Sequence, residues 1–143
     1  DAIRTTRGTP RRRLAVFSDP LCGHCRALEQ QLATLDDIEI YTFLLPFQGA
    51  ESAARSQSVW CAPDRGAAWK ALMQGGTPVP SADCATPISR NLALADRLAI
   101  AGTPTLVAGD GRVLAGGKPA AEIDAWLSPR PIVTQKTPPE TFR

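Results

Sequence analysis

Two cysteines separated by two residues, Cys22 and Cys25, constrain this chain more than any other feature because of where they fall. A short apolar run at residues 14–17 predicts a buried strand, which Ser18-Asp19-Pro20 ends. From about residue 22 to residue 35, leucines recur at helical spacing. The C-x-x-C motif therefore lies at a helix N-terminus, where unpaired backbone N–H groups and the helix dipole favour a thiolate. This position predicts a chemically reactive cysteine pair.

The elements on either side of this helix form two halves. Residues 38–45 are rich in β-branched and aromatic side chains, so strand, helix and strand make a βαβ unit with a right-handed crossover. Residues 105–108 and 112–115 predict two strands around a Gly109-Asp110-Gly111 turn. A last helix begins near Pro119, which makes the second half ββα.

The stretch between the two halves is helical in character. Its three predicted helices cover residues 51–61, 66–73 and 87–98. The chain is therefore predicted to be an α/β protein of order βαβ–ββα, with a helical insertion at about residues 50–98.

Length and composition set the outer boundaries. The 143 residues suit one domain, which we place at residues 14–127. Residues 1–13 contain five arginines and are predicted to be a solvated linker or N-terminal tail, a reading favoured over contact with an acidic partner. Residues 128–143 contain four prolines and few large apolar side chains, so we expect an extended or disordered tail.

Bulk charge and hydrophobicity exclude some classes of function. A formal net charge of +2 is too small to indicate nucleic-acid or membrane binding by electrostatics. No apolar run approaches the ~18–20 residues that span a bilayer. The arginine-rich start is not followed by a secretory signal pattern, although a processed chain would look the same and export is not excluded.

Cys22, Gly23, His24 and Cys25 form the predicted redox centre, and position assigns a role to the two cysteines and to His24. Cys22, at the exposed end of the helix, is predicted to attack a substrate disulfide. Cys25, one turn further in, is predicted to resolve the resulting mixed disulfide. His24 lies between the sulfurs and is favoured as a residue that tunes Cys22, the alternative being an exposed helix residue with no chemical role.

Other uses of a C-x-x-C motif fit less well. A zinc site needs a second close Cys or His pair, yet His24 is the only histidine and the other cysteines stand far apart. Covalent haem attachment needs a histidine directly after the second cysteine, where Arg26 stands instead. An inert disulfide is disfavoured by the helix-start location. We therefore predict no metal and no cofactor beyond the cysteine pair.

Two further features complete the predicted site. Thr103-Pro104 precedes a strand after Gly102; a trans turn proline is the local default, but the βαβ–ββα order favours a cis peptide facing the cysteines. A proline without an N–H leaves neighbouring backbone groups free to pair with an extended substrate. Asp19 is three residues before Cys22 and could assist proton transfer at Cys25, although a structural role as a cap or loop ligand is favoured.

The remaining two of the four cysteines, Cys61 and Cys84, have no close acid–base companions. Trp60 beside Cys61 suggests a packed setting. We predict a structural disulfide across the helical insertion, which would indicate an oxidising compartment.

The chain resembles the DsbC/DsbG family of bacterial periplasmic disulfide isomerases. The resemblance covers roughly residues 14–127 and is carried by motifs that occur in the family's order. They are Phe17-Ser18-Asp19-Pro20-Leu21-Cys22-Gly23-His24-Cys25, Leu45-Pro46-Phe47-Gln48-Gly49, Val59-Trp60-Cys61-Ala62, the lone Cys84 and Gly102-Thr103-Pro104-Thr105.

The resemblance implies a thioredoxin fold with a helical insertion. It also implies Cys22 as nucleophile, Cys25 as its partner, a cis Pro104 after Thr103, and a Cys61–Cys84 disulfide. Two departures stand out. His24 occupies a position where the family commonly has tyrosine, and the N-terminal dimerisation domain of these isomerases is not represented by residues 1–13. The chain is therefore expected to be a catalytic fragment or a shortened relative, with dimerisation possible only through such a domain.

The leading functional expectation is a periplasmic disulfide isomerase or reductase. Its expected partners are misfolded or reduced exported proteins and a membrane thiol electron donor of the family's kind, with no nucleic acid. The alternative enzyme is a monomeric dithiol oxidase that donates its own disulfide. A third reading, a non-enzymatic chaperone-like binding module, predicts activity that survives loss of Cys22.

Overall fold

The computed structural model describes residues 1–76 and 83–128. Within these residues, ten helices and strands follow one another. They are β1 (Ile3–Arg7), β2 (Arg12–Ser18), α1 (Gly23–Leu32), β3 (Ile38–Leu44), α2 (Ala50–Trp60), α3 (Arg65–Met73), α4 (Ile88–Arg97), β4 (Thr105–Ala108), β5 (Val113–Ala115) and α5 (Ala120–Leu127).

The strands form one mixed sheet in the order β1-β3-β2-β4-β5. β2 and β3 run parallel, as expected for strands joined through the α1 crossover. β4 runs antiparallel to β2, with Phe17 opposite Thr105. This register brings the end of β2 beside the start of β4, so the C-x-x-C segment and Thr103-Pro104 emerge at the same edge of the sheet.

Side-chain alternation gives the sheet two buried faces. Leu14 and Val16 of β2 pack with Ile38 and Ile40 of β3 in a cluster that also holds apolar residues of α1 and α5. Phe17 points the opposite way and packs with Leu45, Ala95 of α4 and Ile100. The predicted α/β thioredoxin fold with a helical insertion is confirmed.

A disulfide braces the helical insertion. Cys61, directly after α2, is bonded to Cys84, which precedes α4, with 5.8 Å between their Cα atoms. Cys61 also packs against a cluster that contains Trp60, Trp69 and both cysteines of the C-x-x-C pair. The disulfide therefore stabilises the helices that pack against Cys22 and Cys25.

The expectation of a linker over residues 1–13 is wrong for Ile3–Arg7. These residues form β1, which pairs antiparallel with β3, and Ile3 is only 3% exposed. The charged side chains concealed the strand because its arginines point outward, where Arg4 pairs with Glu39. β2 also begins earlier than predicted, at Arg12. The predicted tail lies outside the described residues from position 129 onward.

Ile3→Ala tests whether β1 contributes to the fold. We expect the free energy of unfolding to fall by about 3 kcal/mol, because truncation of a buried isoleucine leaves a cavity. Thr6→Ala, at an exposed position of the same strand, is the control and should change stability by less than about 0.5 kcal/mol. Urea denaturation measures both. Equal stability of the two variants would show that β1 does not pack on the sheet.

Candidate active site

Cys22 occupies the N-cap of α1. Its backbone is extended, with φ −84° and ψ 120°, and its Sγ accepts a hydrogen bond from the Cys25 backbone N–H at 3.3 Å. The N-cap sulfur thus faces the unpaired amides at the positive end of the helix dipole. A negative charge on this sulfur is stabilised by groups that the helix supplies without rearrangement.

Cys25 lies one turn further along α1 and is completely buried. The Asp19 backbone N–H lies 3.5 Å from its Sγ. Burial raises the pKa of the Cys25 thiol to about 12, an effect that outweighs the hydrogen bonds favouring the thiolate. Cys22, predicted at the exposed end of the helix, is itself only 5% exposed and lies in the same buried cluster as Cys25. The two sulfurs differ in their surroundings: Cys22 faces the amides of a helix terminus, and Cys25 rests as a neutral thiol.

The Thr103–Pro104 peptide bond is cis, and this loop meets the cysteine pair. The Thr103 carbonyl oxygen lies 3.5 Å from Cys22 Sγ, close enough to accept a weak hydrogen bond from the thiol. The Pro104 carbonyl accepts from the Gly116 N–H at 2.8 Å, which anchors the loop to the end of β5. Residues 81 positions apart are thereby brought together.

A mostly apolar groove adjoins this loop. It has a volume of about 290 Å³ and is lined by Ile100, Val113 and Ala115 as well as by Thr103 and Pro104. Val113 is 55% exposed, so the groove offers apolar surface beside the cis-proline loop.

Asp19 is fully buried and its carboxylate is a structural hub. One oxygen accepts from the Phe47 and Gln48 backbone N–H groups at 2.7 and 3.0 Å. The other accepts from the Leu21 N–H at 2.9 Å and from the Ser52 hydroxyl. These contacts join the loop before Cys22, the loop after β3 and the first turn of α2. Both carboxylate oxygens already accept hydrogen bonds from the protein. Asp19 therefore has the structural role that the sequence analysis favoured.

His24 and Gly23 lie on the exposed side of the helix start. His24 lines a shallow depression with Gly117 and Lys118. A Cβ added to Gly23 would meet no atom within 4 Å, so space does not require glycine there. The structure brings Cys22, Cys25, Thr103 and the cis-proline together, whereas these two residues form their outer rim.

Sequence reasoning missed two serines near the site. Ser52 of α2 donates to Asp19, a contact across 33 residues that no local pattern signals. Ser18 is fully buried at the end of β2, directly before Asp19, whose backbone N–H lies 3.5 Å from the Cys25 sulfur. In the sequence, only its position directly before Asp19 indicates that Ser18 lies near the site.

Within residues 1–76 and 83–128, no three His, Cys, Asp or Glu side chains are arranged to hold a metal ion. In the same part of the chain, none of the helices has the length and apolar character needed to cross a membrane.

A dithiol with one helix-capping sulfur and one buried sulfur, set beside a cis-proline loop, is the arrangement of a thiol–disulfide oxidoreductase. The chain belongs to the thioredoxin-like domain family, whose sequence profile matches residues 1–129.

Among solved structures, the chain is similar to a disulfide interchange protein from Neisseria gonorrhoeae, with 35% identity and a TM-score of 0.83. That match covers 88% of this chain and 92% of the other. The probable thiol:disulfide interchange protein DsbC of Bordetella pertussis is 36% identical, over 88% of this chain and 45% of its own length. DsbC of Escherichia coli is 33% identical, over 80% of this chain and 50% of its own length. The chain thus spans about half the length of these curated relatives.

Asp19→Ala should destabilise the protein by about 3 kcal/mol. The substitution leaves three backbone N–H groups and the Ser52 hydroxyl without their acceptor, a known source of large losses. Asp36→Ala, an exposed carboxylate, is the matched control and should stay within about 0.5 kcal/mol of the wild type. Chemical denaturation distinguishes them, and a stable Asp19→Ala protein would contradict the hub.

The raised pKa of Cys25 predicts selective alkylation. Iodoacetamide at pH 7.5 should modify Cys22 in the reduced protein and leave Cys25 free, since the neutral thiol is unreactive. In a Cys22→Ser variant, the alkylation rate of Cys25 should rise about tenfold per pH unit between pH 8 and 10, because the thiolate fraction does so below the pKa. Mass spectrometry reads out both sites. Rapid labelling of Cys25 at pH 7.5 would refute the assignment.

Proposed function

We propose that this domain is a disulfide isomerase or reductase that acts on proteins through Cys22 and Cys25. The observation that carries the proposal is the difference between the two sulfurs. Both cysteines are buried, but Cys22 caps α1 and touches the cis-proline loop, whereas Cys25 rests as a neutral thiol. A nucleophile with a protonated partner behind it suits the reduced, attacking form of the enzyme.

The first step forms a mixed disulfide. The Cys22 thiolate attacks one sulfur of a substrate disulfide; the Cys22–substrate bond forms, the substrate S–S bond breaks, and the released substrate thiolate takes up a proton. The Thr103 backbone beside Cys22 would pair with the extended substrate, and the groove lined by Ile100 and Val113 would take an apolar side chain.

The second step can follow two routes. Another substrate thiolate can attack the mixed disulfide, which regenerates Cys22 and leaves a rearranged substrate disulfide. Alternatively Cys25 attacks Cys22, which oxidises the enzyme pair and reduces the substrate. Because Cys25 keeps its proton at neutral pH, the second route is slowed, and this favours isomerisation.

A monomeric dithiol oxidase is the second candidate. The observation that favours it is the N-cap position of Cys22, because a stabilised thiolate is a good leaving group and makes the disulfide form a stronger oxidant. In that case the oxidised pair would donate its disulfide to a reduced substrate.

The cellular setting is part of the proposal. A Cys61–Cys84 disulfide fits an oxidising compartment, which in bacteria is the periplasm. Substrates would be exported proteins with wrong or missing disulfides, and a membrane thiol donor of the kind used by the DsbC/DsbG family would keep Cys22 and Cys25 reduced. His24 at the rim would adjust the charge near Cys22.

Recovery of activity from a scrambled, multi-disulfide test protein measures this function. Catalytic amounts of the reduced domain in a glutathione buffer should raise the recovery rate above the buffer background. Cys22→Ser should abolish the gain, because the nucleophile is lost. Cys25→Ser should keep part of it, because rearrangement needs only Cys22, yet should lose net reduction of insulin.

Each contrary outcome has a distinct meaning. No recovery, together with rapid oxidation of a reduced peptide by the oxidised domain, would replace the isomerase by the oxidase. Recovery that persists in Cys22→Ser would indicate a holder of unfolded chains without thiol chemistry.

A further inference from the structure

A depression of about 230 Å³ lies where the start of α1 meets the segment between β5 and α5. Gly117 lines it, and a Cβ built on this glycine would lie 3.5 Å from the His24 carbonyl oxygen and 3.9 Å from Pro104 Cγ. The start of α1 carries Cys22, and the cis-proline loop touches its sulfur through Thr103. The depression therefore borders both segments that meet at the reactive sulfur.

The polar side chains that line this depression are hydrogen-bond donors. They belong to His24, Gln31 and Lys118, and none of the lining side chains in the described part of the chain is a carboxylate. Gln31 Oε1 accepts a hydrogen bond from the Ala120 backbone N–H at 2.8 Å, which leaves the amide NH₂ group as a donor. The depression thus offers donors and one full positive charge, that of Lys118.

The Lys118 ammonium group has no ion-pair partner among residues 1–76 and 83–128. Glu122, four residues further along in the first turn of α5, is not paired with it. The lysine residue is half-buried, so its charge is held beside the depression by the surrounding chain. A lysine ammonium group with three donors and no neighbouring carboxylate suits an anionic partner.

The depression is adjacent to the apolar groove of the proposed substrate site. Gly116 lines that groove together with Val113, and the next residue, Gly117, lines the depression. A substrate chain that pairs with the Thr103 backbone would therefore have an apolar surface and a cationic surface near its cysteine. An extended chain advances about 3.3 Å per residue, so the side chain that enters the depression belongs to a residue close to that cysteine.

This inference rests on the proposed function and adds a substrate preference to it. We propose that the depression is a subsite for an acidic side chain of the substrate, and that Lys118 is its specificity-determining residue. The Lys118 ammonium group pairs with the substrate carboxylate, and the side chains of His24 and Gln31 donate hydrogen bonds to it. The preferred substrates are proteins that carry Asp or Glu close to a cysteine of the disulfide that Cys22 attacks.

The test measures how fast Cys22 of the reduced protein forms a mixed disulfide with short peptides. Each peptide has one cysteine, linked by a disulfide to 2-mercaptoethanol, and a Glu placed at each neighbouring position in turn, with a matched Gln peptide. The Cys22 thiolate attacks the peptide sulfur, the Cys22–peptide bond forms, and the mercaptoethanol sulfur leaves with the electron pair and takes a proton from solvent. Acid quenching and mass spectrometry give the rate, which is divided by the rate of the same peptide with dithiothreitol to correct for intrinsic reactivity.

Glu should react about three- to fivefold faster than Gln at one particular position, the ratio expected for an ion pair at a partly exposed site. Lys118→Gln should remove this preference, Lys118→Glu should reverse it, and Lys118→Arg should keep it. Lys70→Gln is the matched control because it removes the same charge from an exposed position on α3. This control should change neither the preference nor the rate.

The contrary outcomes separate the subsite from the thiol chemistry. Equal rates for the Glu and Gln peptides in the wild type, or a preference that survives Lys118→Gln, would overturn the subsite and leave the proposed function standing. A preference of the same size at every position, lost equally in Lys70→Gln, would indicate attraction by the overall charge of the protein and would also overturn it. Absence of a mixed disulfide with any peptide would overturn the proposed function itself.

Discussion

The buried carboxylate of Asp19 holds together three segments that would otherwise have no reason to meet. It receives hydrogen bonds from the loop before Cys22, from Phe47 and Gln48 after β3, and from Ser52 in α2. A charge removed from water is tolerated only when donors surround it, so these segments can close around Asp19 in one way. The same residue's backbone N–H touches the Cys25 sulfur, which couples the loop geometry to the buried thiol.

From that arrangement follows the asymmetry of the two cysteines. Cys22 is held at a helix terminus, where the backbone favours negative charge, and Cys25 is held in the apolar core, where burial opposes it. Chemically similar thiols three positions apart are thus given different tasks by their surroundings alone. The cis-proline loop completes the site because the β2–β4 register places Thr103 beside Cys22.

Local patterns were sufficient for most of the architecture. The leucine spacing in α1, the apolar runs of β2 and β3, and the Gly109-Asp110-Gly111 turn each predicted their elements. β1 failed because four of its five residues are exposed, so no hydrophobic pattern marked it. Its partner is β3, more than thirty residues away in sequence, and pairing of that kind leaves little local trace.

The sequence by itself determined that a C-x-x-C pair starts a helix inside a βαβ–ββα order, which is sufficient for the fold and the class of chemistry. Only the tertiary structure decided how deeply Cys25 is buried and which groups satisfy the Asp19 carboxylate. The physical reason is that reactivity depends on solvation and on donors brought in from distant segments. Residue identity sets which atoms are available, and packing sets which of them meet.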